Sequence, residues 1–201
     1  MTETLSIIRN EHRSLATVLH CLKSLIRELE NDPKKPNFKV FHGILTYLDS
    51  FLHYYHHPKE NIYLFPAVCR RHNEAHHVVH QLEREHDRGD ELLNEMRKAL
   101  SVYEFSGAAA FDDFRDTTNA YVEFERDHAI KEERELLPLA EKYLSEEDWV
   151  EIDAAFSNNE DPLFGEQPRK EYRQLLRRIT NMVPAPYGLG PEWESEKETV
   201  S

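Results

Sequence analysis

Two copies of one spacing carry the chemistry in this chain. His56-x3-Glu60 and His128-x3-Glu132 each set an imidazole and a carboxylate one helical turn apart on one face. Both side chains can then reach the same metal, or the carboxylate can bridge to a second one. The spacing alone is weak evidence, because a chain with 12 histidines and many glutamates meets it by chance. A fixed offset is what raises it. Shifting by 72 residues lays His56 on His128, Lys59 on Lys131, Glu60 on Glu132, Leu64 on Leu136 and Pro66 on Pro138, with Leu52 on Phe124. A shift of 74 lays Glu11 and His12 on Glu85 and His86, and Leu19 on Leu93.

The chain therefore reads as a duplicated half. His12 and His86, one from each remaining helix, complete a set of two metals, each with two histidines, bridged by two glutamates. A His on an apolar helix face is ordinarily a core residue with a satisfied ring. A buried His–Glu pair repeated on two helices costs desolvation unless something is bound between them. Mixed nitrogen and oxygen donors within a helix bundle suit iron, then manganese, ahead of the compact tetrahedral sites of zinc. A rival pattern, Glu-x-x-His, occurs at Glu83-x2-His86 and Glu125-x2-His128, but the same shifts put Glu125 on His53 and Glu83 on Arg9. The repeat does not preserve it, so it reads as coincidence. His20, His42, His53, His72, His76, His77 and His80 are expected on surfaces or in hydrogen bonds.

Four long amphipathic patterns must hold these residues: about 5–29, 38–71, 74–103 and 109–144. Asn31-Asp32-Pro33 ends the first and Ser106-Gly107 the third. Pro58 and Pro66 interrupt the second and invite kinks. Short connections favour an all-α, antiparallel up-down-up-down four-helix bundle over residues 1–145. Residues 146–183 are expected to add two short helices packed on the bundle, the first opening at Ser145-Glu146-Glu147-Asp148. The second, 167–183, sets Arg169, Lys170, Arg173, Arg177 and Arg178 opposite an apolar stripe. It suits packing on the acidic bundle, and its other use is a contact with a second copy (a homodimer) or a partner protein. The tail, 184–201, lacks periodicity and reads as extended or disordered.

A net charge of −13 argues against nucleic acid, which needs a basic face. No apolar run is long enough to span a bilayer, the first residues do not read as a secretory signal, and two cysteines make no disulfide framework. A cytoplasmic protein without membrane partners is expected.

At His12, His56-His57-Pro58-Lys59-Glu60, Leu64-Phe65-Pro66, Glu85-His86 and His128-x3-Glu132-Glu133, the chain resembles the bacterial hemerythrin-like, or HHE-domain, family over roughly residues 5–145. The resemblance implies a four-helix bundle with two non-haem iron ions joined by an oxo or hydroxo bridge. It implies His12, His56, Glu60, His86, His128 and Glu132 as metal ligands. Oxygen-carrying hemerythrins supply one more histidine from a His-x3-His pair on the third helix, whereas His86-x3 leads here to Asp90. His57 and Glu133 are the candidates for a further ligand. Imidazole-rich donors favour ferrous iron over a carboxylate-rich site. The expected role is binding of, or response to, O2, NO or peroxide. The alternatives are a peroxide- or NO-decomposing enzyme and an iron or oxygen sensor acting through a partner.

Overall fold

The computed structural model describes residues 3–32, 36–157, 174 and 177–193, and among them no strand occurs. Helix α1 is Glu3–Asn31. Helix α2 covers 38–71 without a break, and its start is capped by the Asn37 side chain, which accepts from the Lys39 N–H at 3.2 Å. Helix α3 is Ala75–Ser106 and ends at Gly107, whose φ of +67° is left-handed backbone that favours glycine. After a 3₁₀ turn, Gly107–Ala110, helix α4 covers 111–143. Helix α5 is Glu146–Ser157, and Ser145 and Asp148 cap its start: the Ser145 N–H donates to Asp148 Oδ2 at 2.9 Å.

The prolines expected to interrupt α2 do not break it. Each is absorbed by a π-helical turn, in which the residue ahead of the proline donates its N–H to the carbonyl five back. His57 donates to Leu52, Phe65 to Glu60 and, in α4, Leu137 to Glu132. A proline offers no N–H and its ring crowds the carbonyl four back, so the helix widens by one residue upstream of it. Wide turns thus occupy Asp49–His56, Glu60–Leu64 and Glu132–Leu136, and both repeated glutamates open one.

The apolar core is in two parts. One holds Leu15 to Leu29 of α1, Val40 to Tyr55 of α2, Leu92 to Tyr103 of α3 and Phe114 to Val122 of α4. The other holds Leu5 to Ile8, Leu64 to Val68, Ala75 to Leu82 and Leu136 to Ala140, covered by Trp149, Ile152 and Phe156 of α5. Along α1 and α3 the chain passes from the second part to the first, and along α2 and α4 from the first to the second. Buried polar side chains at positions 11–12, 56–60, 86 and 125–132 fill the layer between them.

Two ties fix α5. Asp153 Oδ1 accepts from the Thr4 backbone N–H (2.9 Å) and hydroxyl (2.6 Å), and Arg71 Nε donates to Asp148 Oδ2 at 2.6 Å. Most of the expected 167–183 helix lies outside the described residues; 177–182 are helical, with Arg177 and Arg178 exposed. Ile179 and Val183 are buried in the first core, where a Cβ on Gly43 of α2 would stand 3.5 Å from Met182 and 3.8 Å from Ile179. The segment 184–193, expected to be extended, instead turns back at Pro184–Gly188 and returns Trp193 to the core against Phe41, ring centres 5.8 Å apart. Gly188 permits the turn, since a Cβ there would stand 2.3 Å from the Val183 carbonyl oxygen. One large apolar side chain outweighs the missing periodicity. Residues 194–201 lie outside the described residues.

Candidate metal centre

Successive helical residues fan out by roughly 100°. His56 and His57 therefore serve two sides of the polar layer, and Glu60, four residues from one and three from the other, lies beneath both. The donor atoms gather in two groups, each within 4.8 Å: His12, His56, Glu60 and Glu132 in one, His57, His86 and His128 in the other. Glu60 spans them, with Oε1 3.1 Å from His56 Nε2 and Oε2 3.6 Å from His86 Nε2. Glu132 Oε2 is 3.1 Å from His12 Nε2. The rings pack closely: His57 stacks on His86 with centres 3.7 Å apart, and Phe65 backs His86 from the far side.

Behind the rings stands a second set, arranged by the same repeat. His56 Nδ1 meets Glu11 Oε2 at 3.0 Å, and its counterpart His128 Nδ1 meets Glu85 Oε2 at 3.1 Å. His12 Nδ1 meets Glu133 Oε1 at 2.9 Å, and its counterpart His86 Nδ1 meets Asn61 Oδ1 at 3.1 Å. With each Nδ1–H donating outward, the four Nε2 lone pairs are aimed into the centre, as metal-ligating histidines are held. Lys131 also contacts Glu85.

Inside, polar atoms lack partners. The Nε2 atoms of His57, His86 and His128 and both carboxylate oxygens of Glu60 and of Glu132 are buried with no hydrogen bond. Such a cluster is costly in a protein interior unless a cation satisfies it. Burial and the nearby His128 charge push His86 down to about 2, and burial with the charges of His86 and His56 holds His57 well below its ordinary value. These rings stay neutral, as metal ligands must. Burial also lowers His12, but Glu132 and Glu133 outweigh it and raise His12 to about 9. Burial and the neighbouring Glu132 and Glu11 charges raise Glu60 well above the usual carboxylate range, while His12 overrides burial to hold Glu132 at about 2. Nitrogen and carboxylate donors with open lone pairs fit one or two transition-metal cations.

A family model for the hemerythrin HHE cation-binding domain matches residues 3–140. The chain belongs to the hemerythrin HHE family. Neither the curated proteins nor the solved structures contain a match.

The two groups bring together all six residues expected from the sequence: His12, His56, Glu60 and Glu132 in one, His86 and His128 in the other. Of the two candidates for a further ligand, His57 joins the second group and Glu133 stands behind His12. The signal for His57 was its place beside His56 and one turn before Glu60. The partners Glu11, Glu85 and Asn61 went unassigned, although Glu11 and Glu85 were marked by the repeat itself. Of the rival Glu-x-x-His glutamates, Glu83 is half-buried and bonds His80, whereas Glu125 is buried but belongs to neither group. Burial raises Glu125 to about 7 despite the nearby His128.

Proposed function

We propose that this protein is an antiparallel up-down-up-down four-helix bundle, over about residues 1–145, which holds two non-haem irons and binds or responds to O2, NO or peroxide there. The proposed ligands are His12, His56, Glu60, His86, His128 and Glu132, with His57 as a seventh. The observation that carries this reading is the convergence of unpartnered buried donors, three Nε2 atoms and four carboxylate oxygens, between two dry cores. When bound, an oxo- or hydroxo-bridged iron pair supplies electron exchange with small ligands. The chain's own part is to hold neutral imidazoles in one tautomer, to keep Glu60 and Glu132 between the two groups, and to exclude bulk water. Five imidazoles against two carboxylates favour the ferrous state. The reading includes residues 146–183 packed on the bundle and a cytoplasmic protein, with Cys21 and Cys69 as free thiols that burial makes less acidic.

The first test is the optical spectrum of anaerobically iron-loaded protein on exposure to air and after renewed deaeration, with iron counted per chain. A visible band that comes and goes supports reversible binding, in a carrier or a sensor. A band that persists moves the weight to peroxide or NO chemistry. Absence of bound iron sinks the reading. The second reading, an enzyme that turns over peroxide or NO, is favoured by Glu125, a buried carboxyl able to hold or release a proton near neutral pH beside the centre. Steady-state consumption of H2O2 would separate the two.

A further inference from the structure

The duplicated halves differ most at the seams between helices. At the α2–α3 seam, His53 Nδ1 meets Asp90 Oδ2 at 2.8 Å, and His57, one turn further along α2, is buried. The same shifts of 72 and 74 residues map these three onto Glu125, Ala16 and Ala129 at the α1–α4 seam. Two alanines therefore stand where the other seam has an aspartate and a histidine, and a cavity of about 350 Å³ opens there. Leu15, Leu19, Val122 and Ile130 are its apolar lining, and the buried His12 and Glu125 also line it. Glu125 is 2% exposed and its Oε2 has no hydrogen-bond partner. Opposite it, Gly89 leaves room for the carboxyl: a Cβ there would lie 2.6 Å from Glu125 Oε1.

Size decides what the cavity suits. A diatomic molecule or H2O2 needs about the space of one or two waters, ~30 Å³ each, and this cavity is far larger. It falls at the small end of pockets for organic ligands, with an apolar stripe of Leu15, Leu19, Val122 and Ile130, charged side chains such as Arg13, Lys23, Glu123 and Arg126 also lining it, and Glu125 as its buried carboxyl. We infer that the α1–α4 cleft binds a small organic hydroperoxide, its O–OH end on the Glu125 carboxyl beside His12 and its hydrocarbon along Leu15, Leu19, Val122 and Ile130. The assignment of a hydroperoxide, rather than the alcohol of the same shape, rests on the proposed response of the centre to peroxide. The cleft itself does not depend on that reading. Glu125 is a binding residue here: it orients the polar end, and the two alanines set the width.

The test uses the full iron-loaded chain and 2-phenyl-2-propanol, the redox-inert alcohol that matches cumene hydroperoxide in shape. Calorimetry is expected to show saturable binding, weakened by at least about tenfold in Ala16→Leu, which fills the cavity from an exposed position, and in Glu125→Leu. Saturating alcohol is further expected to slow the spectral response to cumene hydroperoxide and not that to H2O2. Absence of saturable binding, binding unchanged in Ala16→Leu, or a stronger preference for benzoate overturns the site. Equal slowing of both peroxides, or of neither, overturns the hydroperoxide assignment. Iron content on the same samples reports on the metal centre separately, so failure of the cleft and failure of the di-iron reading give different results.

Discussion

At the seam between α2 and α3, His53 and Asp90 form a hydrogen-bonded pair one turn from the buried His57, and at the seam between α4 and α1 the counterparts Glu125, Ala16 and Ala129 leave a cleft. Behind the rings the two sides differ again: His12 is backed by the carboxylate of Glu133, and its counterpart His86 by the amide of Asn61. Towards the centre the sides agree, with His56–Glu60 matched by His128–Glu132. Duplication thus holds for the four histidines and two glutamates at the centre and for the Glu11 and Glu85 behind them, and relaxes at His57, Glu133 and Asn61. Inward positions are constrained by every helix at once, whereas outer ones answer to a single neighbour. On the proposed reading, two metal positions on such a frame would share carboxylates but differ in electrostatics.

Breaking what the two sides share is expected to have the largest effect. Glu60 spans both groups, so Glu60→Ala should lower iron from two per chain to below one, whereas His12→Ala should leave about one. At a metal concentration about a thousandfold above Kd, binding stabilises the fold by ~4 kcal/mol, or roughly 10 °C in Tm for a domain of this size. Glu60→Ala should forfeit that increment. Metal analysis with thermal unfolding in the presence and absence of chelator checks it, and equal iron retention by the two variants would contradict the bridging role.

Next come the outer partners. Glu133→Gln makes the His12 side resemble the His86 side, and a less basic imidazole should lower metal affinity by about 10–100-fold. Asn61→Asp makes the opposite change and should slow iron loss. The rate of iron transfer to a chelator, wild type against each variant, measures both. If Glu133→Gln and Asn61→Asp move that rate in the same direction, the contrast drawn between the two sides is wrong.

In metal-free protein the sides should also respond to pH with opposite sign. His12 is raised to about 9, above its ordinary 6.5, so its contribution to stability is fully present below pH 6.5 and lost as pH rises towards 9. His86 is lowered to about 2, so below pH 6.5 the unfolded chain takes up a proton that the folded chain refuses, and stability falls as pH drops. Each group contributes a slope of about 1.4 kcal/mol per pH unit. Urea unfolding from pH 5 to 9 should therefore show His12→Gln flattening the alkaline limb and His86→Gln the acid limb.

Much of this frame was legible in the sequence, for a physical reason. The four long helices announce themselves because apolar residues must recur with the helical period to reach the cores, and Leu5, Leu52, Leu93 and Leu136 are all buried there. His12, His56, Glu60, His86, His128 and Glu132 were marked because inward donors must keep their register in both halves. The π turns were not read, although each precedes a proline, since a missing N–H predicts a fault in the helix and not how the fault is absorbed. Nor was the cleft: it arises from Ala16 and Ala129, and small residues acquire meaning only against the larger ones across the repeat. The return of Trp193 to the core was hidden because a single tryptophan after glycines and prolines has no period.

The smallest expected effect makes the sharpest comparison, because it rebuilds one seam as the other. Ala16→Asp with Glu125→His would recreate the His53–Asp90 pair at the α1–α4 seam. His53 is 47% exposed and Asp90 34%, so the original is a solvent-screened pair and its copy should be worth only about 0.2–1 kcal/mol in a double-mutant cycle. Each single change should be unfavourable or neutral. Ala16→Asp alone adds an acid facing Glu125, and Glu125→His alone puts an unpaired imidazole at a position where the carboxylate now turns inward towards Gly89. The double variant should also lose the cavity, and with it binding of 2-phenyl-2-propanol, while keeping its iron. A coupling energy of zero, with the cavity still able to bind, would mean that the seams differ in helix spacing and not in the two side chains exchanged between them.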